Sequence, residues 1–284
     1  MNYSLFPLCS GSVYWPGSDC AGNQPTYTVP YEYFNFSSIS YDSRVDQVLS
    51  WLDLPEQERP RLITLYLDGV DSAGHRSGPY SADVRNAIQQ VDDAIGKLVA
   101  GVNARTDIAE NIHYMVVSDH GMASIDNNRV IYLDDYLDLV NDVEIITLSP
   151  IASIRSLHGR TAQVYYQLQN IDHLQVYKKY QIPWEFHYSD NVRTTDIIAI
   201  ADEGWSISYR NSPAVSGGNH GYDPSLPSMS SLFIGNGKFF KSDYTSVDKM
   251  SNIHIYGLMC YMLNIPPADN NGSWVQLTPL INNF

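Results

Sequence analysis

The chain alternates between short apolar runs, amphipathic stretches and segments with no period at all. Residues 61–67, RLITLYL, form a short apolar run bounded by prolines on one side and an acidic Gly-containing turn on the other, which predicts a buried strand. Residues 112–118, IHYMVVS, predict a second. In residues 43–53, Val45, Val48, Leu49 and Leu52 share a helical face, and Pro55 and Pro60 break the pattern afterwards. Residues 81–100 carry the strongest helical period: Ser81 can cap, and Val84, Ala87, Ile88, Val91, Ile95 and Leu98 fall on one face. Strand, loop, helix and strand within about sixty residues read as a βαβ unit and hence a parallel sheet. Shorter β-like runs follow at 143–148, 162–168, 195–201, 205–209 and 229–235, and a helix at 253–263 carries Ile253, Tyr256, Met259, Cys260 and Leu263. Residues 1–40, rich in Tyr, Ser, Pro and Gly, read as loops and turns. No repeat or linker divides the 284 residues, so one α/β domain spanning 1–284 is the expectation.

Composition narrows the function classes. Hydrophobic residues make up 44% and charged ones 17%, which is globular rather than disordered. The net charge of −14 opposes binding to nucleic-acid duplexes or anionic lipid; a small anionic substrate then needs a local positive charge, such as a metal ion. Cys9, Cys20 and Cys260 are too few for a disulfide framework or a thiolate zinc site, although Cys9 and Cys20 can pair. Asn2, Asn35 and Asn271 head N-x-S/T sequons, a weak pointer to secretion. No apolar run is long enough for a membrane helix, and the first twenty residues do not read as a signal peptide.

Three motifs carry candidate chemistry. DGVDSAGHRSGP (68–79) follows the first strand and places Asp71 four residues before His75 in a Gly-rich turn. SDHGM (118–122) follows the second strand with Asp119 and His120 adjacent, and GGNHGYD (217–223) centres His220 in a glycine loop. Ligands of parallel sheets bind at the carboxyl ends of strands, where the first two motifs sit. Carboxylate and imidazole together suit Zn²⁺. Asp71, His75 and His220 would make one three-ligand site with an open position, and Asp119 with His120 most of a second. Each motif alone has a plainer reading, as a turn carboxylate, a helix cap or a surface histidine. His113, His158, His173, His187 and His254 lack such company and are taken as structural.

The order of these motifs, with VYWPGSD (13–19), RVDQVLSWLDLP (44–55), RPRLITLYLDGVDSAGHRSGP (59–79), VVSDHGM (116–122), DEGWSIS (202–208), GNHGYDPSLPSMSSLFIGNG (218–237), IYGLMCYMLNI (255–265) and ADNNGS (268–273), resembles the ectonucleotide pyrophosphatase/phosphodiesterase family of the alkaline phosphatase superfamily. The resemblance implies an alkaline phosphatase-like α/β fold, with a mostly parallel sheet flanked by helices. It implies two zinc ions, one held by Asp71, His75 and His220 and the other by Asp119 and His120. Asp68, three residues before Asp71, is a candidate support by its place in the chain, with a solvated turn residue the favoured reading. The resemblance puts Tyr31 where nucleotide-hydrolysing members stack the base. The implied activity is hydrolysis of nucleotide pyrophosphate or phosphodiester bonds, in an extracellular or cell-surface setting; choline or lysophospholipid phosphodiesters, or an inactive binding role, are the alternatives. The family's threonine nucleophile and a further aspartate ligand precede its WPGS segment, which begins here at Trp15. The expectation is therefore a catalytic domain without its amino-terminal strand or nucleophile, with one full and one partial zinc site.

Overall fold

Gly11 sits against the indole of Trp51, and that close packing locks the first strand onto the first helix. A Cβ on Gly11 would lie 2.7 Å from Trp51 Cε3. In the computed structural model, which describes residues 9–22, 24–30, 39–213, 215, 217–246 and 248–282, two strands appear where only loops are expected: β1 (Ser10–Val13) and β2 (Tyr27–Val29). They are short and interrupted by Gly and Ser, so their alternation is invisible in sequence. β3 (Leu62–Leu65) is the strand expected at 61–67; it joins β1 in a three-stranded parallel sheet ordered β2-β1-β3.

The described residues fall into two compact units, each assembled from separated stretches of chain. The first comprises residues 1–68, 89–117 and 233–284. Helix α1 (Tyr41–Leu52) begins at Ser40, whose hydroxyl accepts from the Ser43 amide at 3.2 Å. It buries Val45, Val48, Trp51 and Leu52, whereas Leu49, expected on the same face, is only partly buried. Val13, Tyr14, Val48 and Trp51 form a core against which Ile63, Leu65 and Leu98 pack. Arg44 is also buried, 2% exposed, and its Nη1 donates to Asp68 Oδ1 and to the Tyr66 carbonyl, each at 2.9 Å. The guanidinium lies over the rings of Tyr41 and Tyr14. Strand β4 (Tyr114–Val117), expected at 112–118, pairs with a later strand, Phe233–Asn236, in antiparallel fashion. The βαβ expectation is corrected here: the parallel partner of β3 is β1, not β4. Near the chain's end Phe240, Leu258, Leu277 and Ile281 form a second small core.

The second unit comprises residues 69–88 and 118–232. Helix α2 (Gly69–Ser77) stands where the sequence suggests a Gly-rich turn. Helix α3 (Ala82–Asn103) is capped as expected, Ser81 Oγ accepting from the Val84 amide at 3.2 Å. Its residues through Ile88 belong to this unit and the remainder to the first. Val84 and Ala87 are buried with Ala73, whereas Ile88 is half exposed despite its place on the apolar face. β5 (Ala123–Ile125) and β6 (Val130–Tyr132) follow. β7 (Val143–Thr147) and β8 (Ile151–Ser156) pair antiparallel. Residues 162–168, expected as a strand for their Val and Tyr, form helix α4 (Thr161–Leu168) instead. Val164 and Leu168 lie one turn apart and are wholly buried, so packing at helical spacing overrides β-propensity. β9 (Leu174–Lys178) and β10 (Ile197–Ala201) complete a four-stranded antiparallel sheet ordered β7-β8-β10-β9. β10 is buried at every position, and fully burying its Ile197 and Ile198 contributes roughly 1.5–3 kcal/mol each before entropy is counted. β11 (Ser206–Ser208) pairs parallel with β6, and β12 (Gly217–Asn219) antiparallel with β5. β13 (Phe233–Asn236), in the first unit, and helix α5 (His254–Leu263) end the order. Cys9, Cys20 and Cys260 are free thiols.

Among the described residues β3 and β4 are each hydrogen-bonded along one edge only, and every residue of both strands is half-buried rather than enclosed. Apolar strands with an open edge pair with other chains. The isolated chain is expected to scatter light increasingly with concentration; a monodisperse monomer with one sharp thermal transition would speak against this.

Candidate metal centre

Asp71 and His75 sit one turn apart on α2, so both side chains project from the same face. The carboxylate oxygen Asp71 Oδ1 lies 3.4 Å from His75 Nε2 and 3.6 Å from His220 Nε2. That oxygen is buried and accepts no hydrogen bond, although the residue as a whole is partly exposed. A buried carboxylate oxygen without a donor is costly unless a cation satisfies it. The ligand atoms of Asp71, His75 and His220 all lie within 4.8 Å of one another, the spacing of a three-residue metal cradle. The three residues expected to share an ion are thus brought together from two separate motifs.

The backbone around the triad fixes which nitrogens face inward. His75 Nδ1 lies 3.0 Å from the Gly218 carbonyl, which can only accept. Nδ1 therefore carries the proton and Nε2 keeps its lone pair for a ligand. His120 repeats the arrangement with the Gly121 carbonyl at 2.9 Å. The amide of His220 donates to Asn219 Oδ1 at 2.9 Å. Gly217, at φ +86°, passes so close to α2 that a Cβ would lie 2.1 Å from the His75 carbonyl oxygen. Only glycine permits β12 to approach the helix there, and β12 ends at Asn219, next to His220.

The second expected pair lies beside the first. The rings of His120 and His220 stack with centroids 3.3 Å apart, and His75 and His220 meet at 4.9 Å. Asp119 is largely exposed, its Oδ2 3.4 Å from His120 Nε2. Burial and the neighbouring His120 push the pKa of His220 below the usual histidine range, so its neutral, metal-binding form persists into mildly acid solution. Asp68 belongs instead to the buried pair with Arg44.

Tyr31, Asn2 and Asn35 lie outside the described residues. Sequence reasoning passed over Tyr222, buried two residues after His220, whose hydroxyl donates to the Trp205 carbonyl at 2.8 Å. Burial pushes its pKa up to about 12, so it remains a donor throughout the physiological range. His173, taken as lacking company, pairs with Asp202 at 3.1 Å and stacks on Trp205. His254 is a satisfied structural histidine, its Nδ1 accepting from the Ser273 amide at 2.9 Å.

The family model for type I phosphodiesterase / nucleotide pyrophosphatase matches residues 8–223. The chain belongs to this family. Among its curated relatives, ectonucleotide pyrophosphatase/phosphodiesterase family member 3 of Rattus norvegicus is 37% identical over 96% of the chain and 32% of its own length. Family member 5 of Homo sapiens is 34% identical over 96% of the chain and 56% of its own length. The chain thus spans 32% to 56% of the length of these family members. The solved structure of murine ectonucleotide pyrophosphatase/phosphodiesterase 5 superposes with a TM-score of 0.89 at 35% identity, covering 97% of the chain and 72% of the murine one. An inactive variant of the murine protein has been solved in complex with AMP, with the same TM-score. The likeness bears out the α/β architecture expected from the family's motifs.

Proposed function

We propose that the chain forms the metal-binding part of a zinc-dependent hydrolase of nucleotide pyrophosphate and phosphodiester bonds, one catalytic domain to which both compact units contribute. One observation carries the reading: the donorless oxygen of Asp71 facing the Nε2 atoms of His75 and His220. Two neutral imidazoles and one carboxylate suit zinc and leave a coordination position open. In this reading Asp119 and His120 contribute to a second zinc, and Asp71, His75 and His220 hold the first. When bound, such ions polarise phosphoryl oxygens and activate an attacking hydroxyl or water. The protein's own part is to hold the donors oriented. The carbonyls of Gly218 and Gly121 fix the tautomers of His75 and His120, and burial disfavours protonation of His220.

The nucleophilic threonine of the family pattern is not among the residues assigned here, which make up the metal cradle. Tyr31 is proposed as a base-stacking residue; an aromatic face adds roughly 1–3 kcal/mol per base without selecting one. A nucleotide substrate is supported by the names of the relatives and by the AMP complex of the murine protein. An extracellular setting is supported by the prefix those relatives carry and by the exposed sequon at Asn271. No helix among the described residues is long and apolar enough to cross a membrane. The test is hydrolysis of a chromogenic thymidine monophosphate ester with added zinc, by this chain and by one extended to include the threonine segment. Activity only in the extended chain, abolished by His75→Ala, is expected. Cleavage of choline phosphodiesters but not nucleotides would overturn the substrate assignment.

A further inference from the structure

The metal triad is built from two elements that carry no side chains where they meet. Gly74 precedes His75 on α2, and Gly218 lies two residues before His220 at the end of β12. One side chain reaches both places. A Cβ on Gly74 would lie 2.8 Å from Met122 Cε, and a Cβ on Gly218 would lie 2.8 Å from Met122 Cγ and 2.9 Å from its Sδ. Met122 itself stands two residues after His120 and directly before β5, which pairs with β12 through Asn219 and Ala123. The backbones of the two elements touch directly here, a Cβ on Gly218 lying 2.8 Å from the Gly74 carbonyl oxygen, and the unbranched thioether of Met122 packs alongside that contact against both glycines.

We propose that Met122 is a positioning residue, a wedge packed against both α2 and β12 beside their backbone contact, which holds that contact in register and so keeps His75 and His220 at ligating separation. The inference rests on the metal-site reading above. Without the wedge, the faces of Gly74 and Gly218 turned toward Met122 are left uncovered, and the cavity can admit water and let the two elements shift against each other. The two imidazoles then lose their shared orientation. Methionine suits the role because three rotatable bonds let it conform to an irregular gap between two backbones. Leucine has similar volume and should preserve most of the effect.

The experiment is titration of the metal-free chain with zinc alone, followed by calorimetry. It compares wild type, Met122→Leu and Met122→Ala, with far-UV circular dichroism confirming the fold of each. Residues that only orient metal ligands are worth about 10- to 100-fold in affinity, so the alanine variant is expected to bind about ten-fold more weakly and the leucine variant within about three-fold of wild type. If the alanine variant does not fold, Met122→Val takes its place, with a loss between the two expected. Wild-type affinity in the alanine or valine variant overturns the wedge while leaving the zinc site standing. No zinc binding by the folded wild type overturns the metal reading and the wedge together.

Discussion

Replacing His220 by alanine is expected to weaken zinc binding by roughly 100-fold or more, since even residues that merely orient metal ligands are worth about 10- to 100-fold. His220 brings its Nε2 within 3.6 Å of a carboxylate oxygen that accepts no hydrogen bond, and it is the one triad member from outside α2. Its removal leaves Asp71 and His75, two ligands on one helical face, which cannot surround an ion. It also removes the ring on which His120 stacks, so a second ion at Asp119 and His120 should weaken with it. Zinc affinity measured by competition with a fluorescent chelator decides the matter. Unchanged affinity in a folded His220→Ala variant would remove His220 from the site.

Arg44→Met is expected to destabilise the chain by about 3–5 kcal/mol, the cost of leaving one partner of a buried ion pair uncompensated. Arg44 and Asp68 are 2% and 7% exposed and bonded at 2.9 Å, so the carboxylate left behind has little access to water. The loss includes the bond to the Tyr66 carbonyl and the contacts with the rings of Tyr14 and Tyr41. The double replacement Arg44→Met with Asp68→Leu should recover much of the stability, because no unpaired charge then remains. Urea midpoints of the three proteins read this directly. A loss below about 1 kcal/mol in the single variant would mean that water reaches Asp68 after all.

Arg44 marks a limit of reading sequence by period. It precedes Val45 on α1 and would be assigned to solvent by its charge, yet it is among the most deeply buried residues because Asp68, 24 positions later, neutralises it. The long helices and the strands 61–67 and 112–118 were legible because their apolar period is long or their apolar runs unbroken. β1 and β2 were not, since three or four residues containing Gly, Ser and Thr carry no readable alternation. The α2 segment looked like a turn because Gly69 and Gly74 lower helix propensity. Gly74 is there for the close approach of Met122, and the Asp71–His75 spacing of four was the better guide. The candidate site was legible as a set of motifs, because carboxylate and imidazole chemistry needs those residue types. The packing of Met122 against the two glycines was not, because no local pattern encodes it.

The hydrogen bond between His75 and Gly218 joins positions 143 residues apart, and this separation has a consequence during synthesis. At translation speeds of about 5–20 residues per second, α2 leaves the ribosome roughly seven to thirty seconds before β12 exists. Throughout that interval Asp71 and His75 are an incomplete chelate, open to any passing divalent ion. The nascent chain gains its third ligand only once the antiparallel sheet between the two motifs has been made. The order of synthesis thus delays selective metal uptake until most of the second unit is present to enforce it.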